Sequence, residues 1–164
     1  MKLIYFIPLL VLVTSAHTVS SRGLAIIKEF EGFRAKAYKC AAGKWTIGYG
    51  TTDADKSITG VTIKAGMTIS KQKATEWLKK SVDHKYGRNV NSFDNKYHWT
   101  QNEFDALVSF AYNIGSINQL CANGKSTKGQ IADAMLKYVK VNGRTLQGLV
   151  KRRKKERALF LSKN

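Results

Sequence analysis

Between residues 22 and 31, apolar positions recur at the three- and four-residue spacing of an amphipathic helix. Leu24, Ile27 and Glu31 fall on one stripe at these intervals, and Gly32 follows at a position where helices commonly end. The pattern therefore predicts a helix over residues 22–31, with Glu31 in its last turn, on or beside the apolar face.

The spacing of apolar residues changes to two after residue 37, which is the period of a strand. Large and small residues alternate in the run Trp45, Thr46, Ile47, Gly48, Tyr49 and Gly50. Residues 41–44 predict the turn before this strand, and residues 60–63 predict a further short strand. Residues 37–64 are thus expected to form a small antiparallel sheet.

Helical spacing returns in the rest of the chain. Ser70 can cap one helix, and Thr100 with Glu103 forms a capping box in front of another, which Gly115 ends. Two more apolar stripes predict a helix ending near residues 142–143 and a last helix over about 146–160.

The order of these elements predicts an α+β fold. A small antiparallel sheet lobe at about 37–64 precedes a larger helical lobe at about 70–161. Ligand sites commonly lie between such lobes, so the active-site cleft is expected there.

Charge departs furthest from an ordinary composition. The 164 residues include 28 Lys and Arg against 11 Asp and Glu, for a formal net charge of +17. Hydrophobic residues make up 43%, which excludes a disordered chain and suits one domain or two lobes sharing a core. A surface this basic attracts polyanions such as nucleic acid, anionic lipid or the acidic polymers of a bacterial envelope.

The amino terminus has the pattern of a secretory signal. A charged start at Met1–Lys2 precedes an apolar run over 3–13, too short to span a bilayer, and small residues follow at 14–16. Residues 1–16 are expected to be cleaved, with a cut as late as residue 22 as the other option. The alternative is a retained membrane anchor. Export argues against a nucleic-acid partner inside the cell.

Glu31 is the candidate for acid chemistry. Hydrolysis of a glycosidic bond needs a carboxyl that donates a proton, usually in apolar surroundings, and a second polar group that activates water or stabilises positive charge. Glu31 ends its helix beside Ile27 and Phe30 and directly precedes the sheet, which suits the first role.

Three separated runs resemble the phage-type lysozymes, the endolysins of glycoside hydrolase family 24. They are Ile27–Tyr38 followed by Trp45–Thr52, then Phe104–Gly115, and finally Gly148–Arg153 with Glu156–Leu159. In that family the catalytic Glu is followed nine residues on by a second catalytic residue, usually Asp, and six residues later by a Thr. Here this spacing gives Glu31, Cys40 and Thr46.

The resemblance covers residues 22–161 and implies a lysozyme-like α+β fold with the active site between the lobes. It implies hydrolysis of the β-1,4 bond between N-acetylmuramic acid and N-acetylglucosamine. Glu31 would protonate the leaving oxygen and Thr46 would help to hold the attacking water. Thr46 is otherwise an ordinary strand threonine.

Five further residues are candidates for substrate binding: Gly48, Tyr49, Gly50, Asn113 and Gly115. The two glycines of the strand would let a sugar chain approach the backbone, or they serve only sheet curvature. The ring of Tyr49 could stack on a sugar, although core packing is its other explanation.

Cys40 departs from the family pattern. A thiol with its ordinary pKa of about 8.5 is a poor base at neutral pH unless a neighbouring cation, such as a nearby lysine, lowers that pKa. Cys40 could instead pair with Cys121 in a disulfide, or be passive while Asp53 or Asp55 supplies the negative charge. We favour a free Cys40 at the catalytic position.

The sequence thus predicts a secreted, cofactor-free, monomeric lysozyme (muramidase) with no metal site. The domain would cover residues 17–164 and act outside the cell, or in a lysosome-like or periplasmic compartment. Its partners would be bacterial peptidoglycan and anionic envelope polymers, without nucleic acid and without a membrane span after signal removal. The charged run Lys151–Lys155 would be a solvated face of the last helix that attracts such polymers. The alternative is a catalytically weak, cationic wall-binding or membrane-disrupting antibacterial protein on a lysozyme fold.

Overall fold

The computed structural model describes residues 16–163. The predicted signal peptide, apart from its last residue, lies outside this part of the chain. Among residues 16–163, no helix combines the length and the apolar character needed to cross a membrane.

Eight α-helices and five short strands form the described chain. The helices are α1 (Ser21–Glu31), α2 (Lys56–Thr59), α3 (Lys71–Val82), α4 (Arg88–Asn91), α5 (Asp94–Tyr97), α6 (Gln101–Ile114), α7 (Lys128–Met135) and α8 (Gln147–Leu161). The strands are β1 (Arg34–Lys39), β2 (Trp45–Gly48), β3 (Thr51–Thr52), β4 (Lys140–Val141) and β5 (Arg144–Thr145). A π-helical turn, Asp83–Gly87, joins α3 to α4.

An antiparallel sheet with the order β1-β2-β3 follows α1, as the sequence predicts. The predicted strand over residues 60–63 is wrong, because α2 ends at Thr59 and the chain leaves it through Gly60 in the left-handed conformation (φ 74°), without forming a strand over 60–63. The N–H of Ile63 donates to the Asp53 carboxylate at 2.6 Å. A side chain thus takes the place that a neighbouring strand would have filled.

The predicted helix caps at residues 70 and 100 are confirmed. Ser70 accepts a hydrogen bond from the Lys73 N–H, and Thr100 and Glu103 form the reciprocal capping box of α6. Gly115 ends α6, with its N–H bonded to the Ala111 carbonyl.

The predicted end of the next helix near residues 142–143 is wrong, because α7 stops at Met135. Asn142 and Gly143 both have positive φ values, 49° and 76°, and form the tight turn between β4 and β5. Two consecutive left-handed residues suit a two-residue hairpin, and Asn-Gly is a favoured pair for it.

Two apolar clusters lie on either side of the junction between sheet and helices. The larger one surrounds α6, which is buried from Asn102 to Ala111, and α1 and α8 pack against it. The smaller one joins Ile47 of the sheet to Ile63 and Trp77. The α+β fold with a small sheet and a larger helical part is therefore confirmed.

Candidate active site

Glu31 is the last residue of α1. Gly32 ends the helix there, since it adopts φ 71° and donates its N–H to the Lys28 carbonyl at 3.1 Å. The Glu31 side chain is 28% exposed, and its Oε1 accepts a hydrogen bond from Arg152 Nη1 at 2.9 Å. The expectation of apolar surroundings is therefore only partly right, because a guanidinium contacts the carboxylate directly.

A cleft of about 360 Å³ opens beside this carboxylate. Its lining combines apolar, amide and charged groups: Phe30, Glu31, Asn113, Leu146, Gly148, Leu149 and Arg152. A partly exposed carboxyl at the wall of such a cleft can reach a ligand and exchange a proton with it.

Arg152 is 3% exposed, which corrects the prediction that the run Lys151–Lys155 is a solvated face. Arg153 is also fully buried, and only the lysines of the run reach the surface. Helical spacing could have predicted this burial, because residues 152, 153 and 156 fall on the same face of the helix as Leu149 and Phe160.

Tyr112 of α6 connects the Glu31 cleft to the sheet. Its hydroxyl donates to the Tyr49 carbonyl at 3.0 Å, and its ring centre lies 6.0 Å from the Arg152 guanidinium carbon. Burial, together with the nearby Glu31 carboxylate, raises the pKa of Tyr112, so the hydroxyl keeps its proton and remains a donor.

Cys40 and Thr46 lie together in the hairpin between β1 and β2. Backbone N–H groups of Lys44 and Ala42, and then the Thr46 hydroxyl, hydrogen-bond with the thiol and lower the pKa of Cys40. The groups that lower the pKa are those of the hairpin itself and not the charge of a neighbouring lysine. The hairpin is fixed by the Cys40 N–H, which donates to the Lys44 carbonyl at 2.9 Å.

Both cysteines are free thiols in the described chain. Cys40 is half-buried in the hairpin, whereas Cys121 is completely buried in the core around α6. Burial raises the pKa of the Cys121 thiol to about 12, which leaves it protonated and unreactive.

Both candidate aspartates are engaged in local hydrogen bonds. Asp55 accepts a hydrogen bond from Lys85 Nζ at 2.7 Å and another from the Thr52 N–H at 3.0 Å. Asp53 holds the Ile63 N–H, as described above. Both carboxylates serve local structure. The residues that line the Glu31 cleft include neither aspartate, and they do not include Cys40 or Thr46.

The five candidate binding residues separate into two groups. Asn113 lines the Glu31 cleft, and its Oδ1 accepts a hydrogen bond from Arg153 Nη2 at 3.0 Å. Gly115 ends the same helix and is exposed. Both lie at the carboxyl end of α6, so the structure brings Asn113 beside Glu31.

The other three candidates, at positions 48–50, lie at the end of β2, where Gly48 and Tyr49 are buried and Gly50 is exposed. A Cβ on Gly48 would lie 2.9 Å from the Ala74 Cβ of α3, and one on Gly50 would lie 3.2 Å from the Tyr112 hydroxyl. Tyr49 is 3% exposed and packs against Phe33. Close packing therefore explains Gly48 and the Tyr49 ring.

Comparison with known sequences identifies the family. The profile described as phage lysozyme matches residues 28–156, a span that holds Glu31, the hairpin and most of α8. The chain belongs to the phage lysozyme family. It is accordingly a hydrolase of the lysozyme type, as the three sequence runs indicated.

Individual relatives align with most of this lysozyme. The endolysin of Acyrthosiphon pisum secondary endosymbiont phage 1 is 35% identical over 88% of this chain and 98% of its own length. The endolysin of Bacillus phage B103 is 38% identical over 88% of this chain, but only 54% of its length is covered. The chain thus spans about half of that relative.

A solved structure agrees with the fold. The muramidase domain of SpmX from Asticaccaulis excentricus is 31% identical, with a TM-score of 0.70 over 90% of this chain and 99% of that one.

Proposed function

We propose that this lysozyme is a muramidase that hydrolyses the β-1,4 bond between N-acetylmuramic acid and N-acetylglucosamine, with Glu31 as the proton donor. The observation that carries the proposal is the position of the Glu31 carboxyl, which is partly exposed at the wall of a cleft and held by Arg152. Family membership and the muramidase neighbour support the choice of bond.

In the reaction, protonated Glu31 gives its proton to the glycosidic oxygen as that bond to the anomeric carbon breaks, and positive charge develops on the sugar. A water molecule adds to the anomeric carbon. The Cys40 thiolate takes a proton from this water. The Thr46 hydroxyl donates to the Lys44 carbonyl at 3.1 Å, so its oxygen can accept a hydrogen bond from the water and help to orient it. The released sugar ends carry the hydrogen and the hydroxyl of one water, and both residues recover their protonation states from solvent.

The hairpin backbone supports this role for Cys40. A general base must be deprotonated at the working pH, and two N–H donors aimed at the sulfur favour the thiolate over the thiol. Cys40 thereby gains part of the negative character that the family's usual aspartate has without assistance.

We further propose that the protein acts as a secreted monomer on bacterial walls, whether for lysis, defence or digestion. The basic composition supports attraction to anionic envelope polymers, and the pattern over residues 1–16 supports export.

Analysis of the cleavage products tests the proposed bond. Purified peptidoglycan is digested, reduced with borohydride and hydrolysed, and the reduced sugars are identified by mass spectrometry. A muramidase creates new reducing ends on N-acetylmuramic acid, so reduced muramic acid should accumulate. Reduced glucosamine would assign the cut to the other glycosidic bond, and new amino termini without new reducing ends would assign it to the peptides.

A further inference from the structure

Behind the Glu31 cleft, the interface of α6 and α8 holds a carboxylate that the proposed mechanism does not use. Glu156 is completely buried. Its Oε1 accepts hydrogen bonds from Ser109 Oγ at 2.8 Å, Arg152 Nε at 3.1 Å and Arg153 Nη2 at 3.3 Å. Its Oε2 lies 2.9 Å from Arg153 Nε. One carboxylate therefore faces two buried guanidinium groups.

Each of these arginines also reaches a residue of the cleft. Arg152 donates from Nη1 to Glu31, and Arg153 donates from Nη2 to the Asn113 side chain. Arg152 is fixed a third time, because its Nη2 donates to the Ser109 carbonyl at 3.1 Å. The hydrogen bonds thus run from Glu156 through an arginine to a cleft residue on two separate routes.

We propose that Glu156 is a positioning residue for the reaction, acting on Glu31 through Arg152 and on Asn113 through Arg153. This role rests on the proposed function of Glu31. Two buried cations side by side need a compensating charge, and each would otherwise move toward solvent or draw more strongly on the Glu31 carboxylate. With Glu156 in place, Arg152 holds Glu31 in a fixed orientation while its charge is already balanced.

The groups around Glu31 determine which variants can test the role of Glu156. Tyr112 of α6 and Arg152 of α8 are titratable groups that face Glu31, and Glu156 stands directly behind Arg152. Two other ion pairs of α8 lie on its outer side: Lys155 with Glu29 of α1, and Arg157 with Asp133 of α7.

The test replaces Glu156 by glutamine, which keeps the shape and one acceptor oxygen but removes the charge. For Glu156→Gln we expect kcat to fall about 10- to 100-fold, because Glu31 is displaced, and KM to rise by a smaller factor, because Asn113 also loses its fixed position. We also expect the alkaline limb of the kcat profile to move to lower pH, since an unbalanced Arg152 stabilises the charged form of Glu31. A purely structural role would lower kcat at every pH without moving the limb.

Three variants serve as controls. Glu29→Gln also removes one carboxylate and one ion pair between α1 and α8, but it does not touch Arg152, so the limb should stay in place. Glu156→Asp keeps the charge and should restore the limb. If Glu156→Gln does not fold, the double variant Arg153→Gln with Glu156→Gln removes one charge of each sign, and its limb should return close to that of wild type.

The carbon-13 resonance of the Glu31 carboxyl separates this proposal from the proposed function. It should titrate at lower pH in Glu156→Gln than in wild type, whether or not the protein cleaves peptidoglycan. An inactive wild type with this shift would refute the muramidase and leave the positioning of Glu31 intact. A folded Glu156→Gln with unchanged titration, or an equal shift in Glu29→Gln, would overturn the positioning role.

Discussion

Cys40 determines how the activity of this lysozyme should depend on pH. Hydrogen bonds from the hairpin backbone lower the pKa of its thiol, so the thiolate forms at a lower pH than in an ordinary cysteine. As the pH falls through that pKa, the thiol gains a proton and can no longer accept one from water. Activity should therefore decline on the acid side as Cys40 is protonated.

Replacing Cys40 by the residue that is usual in the family tests this dependence. An ordinary aspartate has a pKa of about 3.9, so Cys40→Asp should keep activity and move the acid limb of kcat/KM to lower pH. Cys40→Ala should lower kcat by about 10²-fold, since it removes the base altogether. Cys121→Ala is the matched control, because that thiol is buried far from solvent, and its acid limb should not move. An unchanged limb in Cys40→Asp would remove Cys40 from the proton transfers.

The resemblance to phage-type lysozymes was enough to name Glu31, Cys40 and Thr46 as candidates, but it did not reveal the group that holds Glu31. Arg152 was hidden in a run of five basic residues, because charge alone predicts solvent exposure. Its burial depends on Glu156 one helical turn later and on Ser109 of another helix. Contacts between distant segments of this kind leave little trace in the local sequence.

The junction between β2 and α3 depends on a residue without a side chain. Gly48 has φ 66°, and a Cβ there would lie 2.9 Å from the Ala74 Cβ. Gly48→Ala should reduce the free energy of unfolding by at least about 2 kcal/mol, because strain at positive φ and overpacking add together. Urea denaturation monitored by circular dichroism measures this loss.

Gly60→Ala is the matched control for that variant. Gly60 has a similar φ of 74°, but a Cβ there would meet nothing within 4 Å. Its substitution should cost only the strain of the left-handed conformation, about 1 kcal/mol. Equal losses in the two variants would mean that the contact with α3 contributes nothing.

Helices with a cap and an apolar stripe were predictable, whereas short segments between them were not. Ser70 and Thr100 start helices where the sequence places them, since capping is local. The strand prediction over residues 60–63 is wrong because the apolar residues of this segment reach the core without strand pairing. The pair Asn142–Gly143 suits both a helix end and a hairpin turn, so the local sequence does not distinguish the two.

Across the described chain, the acidic side chains are paired with other groups of the protein, whereas basic side chains are in excess. All eleven acidic side chains hydrogen-bond with partners in the described chain, for example Glu103 with Lys128 and Asp83 with Lys79. No acidic residue lies between Glu31 and Asp53, the stretch that contains the sheet and Cys40. The protein therefore presents a predominantly cationic surface to its surroundings.

Binding to bacterial walls should accordingly weaken as salt is added. The screening length falls from about 10 Å at 0.1 M to about 3 Å at 1 M, which suppresses attraction between exposed charges. Co-sedimentation of the Glu31→Gln variant with purified walls measures binding without cleavage. The bound fraction should decline steadily with sodium chloride, and binding that is independent of salt would show that the surplus charge plays no part.

The most direct test of the whole account compares wild type, Glu31→Gln and Glu29→Gln in clearing a suspension of purified bacterial walls. The two variants remove the same group from the same helix, but only Glu31 lies at the cleft and contacts Arg152. We expect Glu31→Gln to lose about 10²- to 10⁴-fold in rate while Glu29→Gln clears the walls as wild type does. Clearing by Glu31→Gln at the wild-type rate, or no clearing by any of the three, would contradict the assignment of Glu31 as the acid of a muramidase.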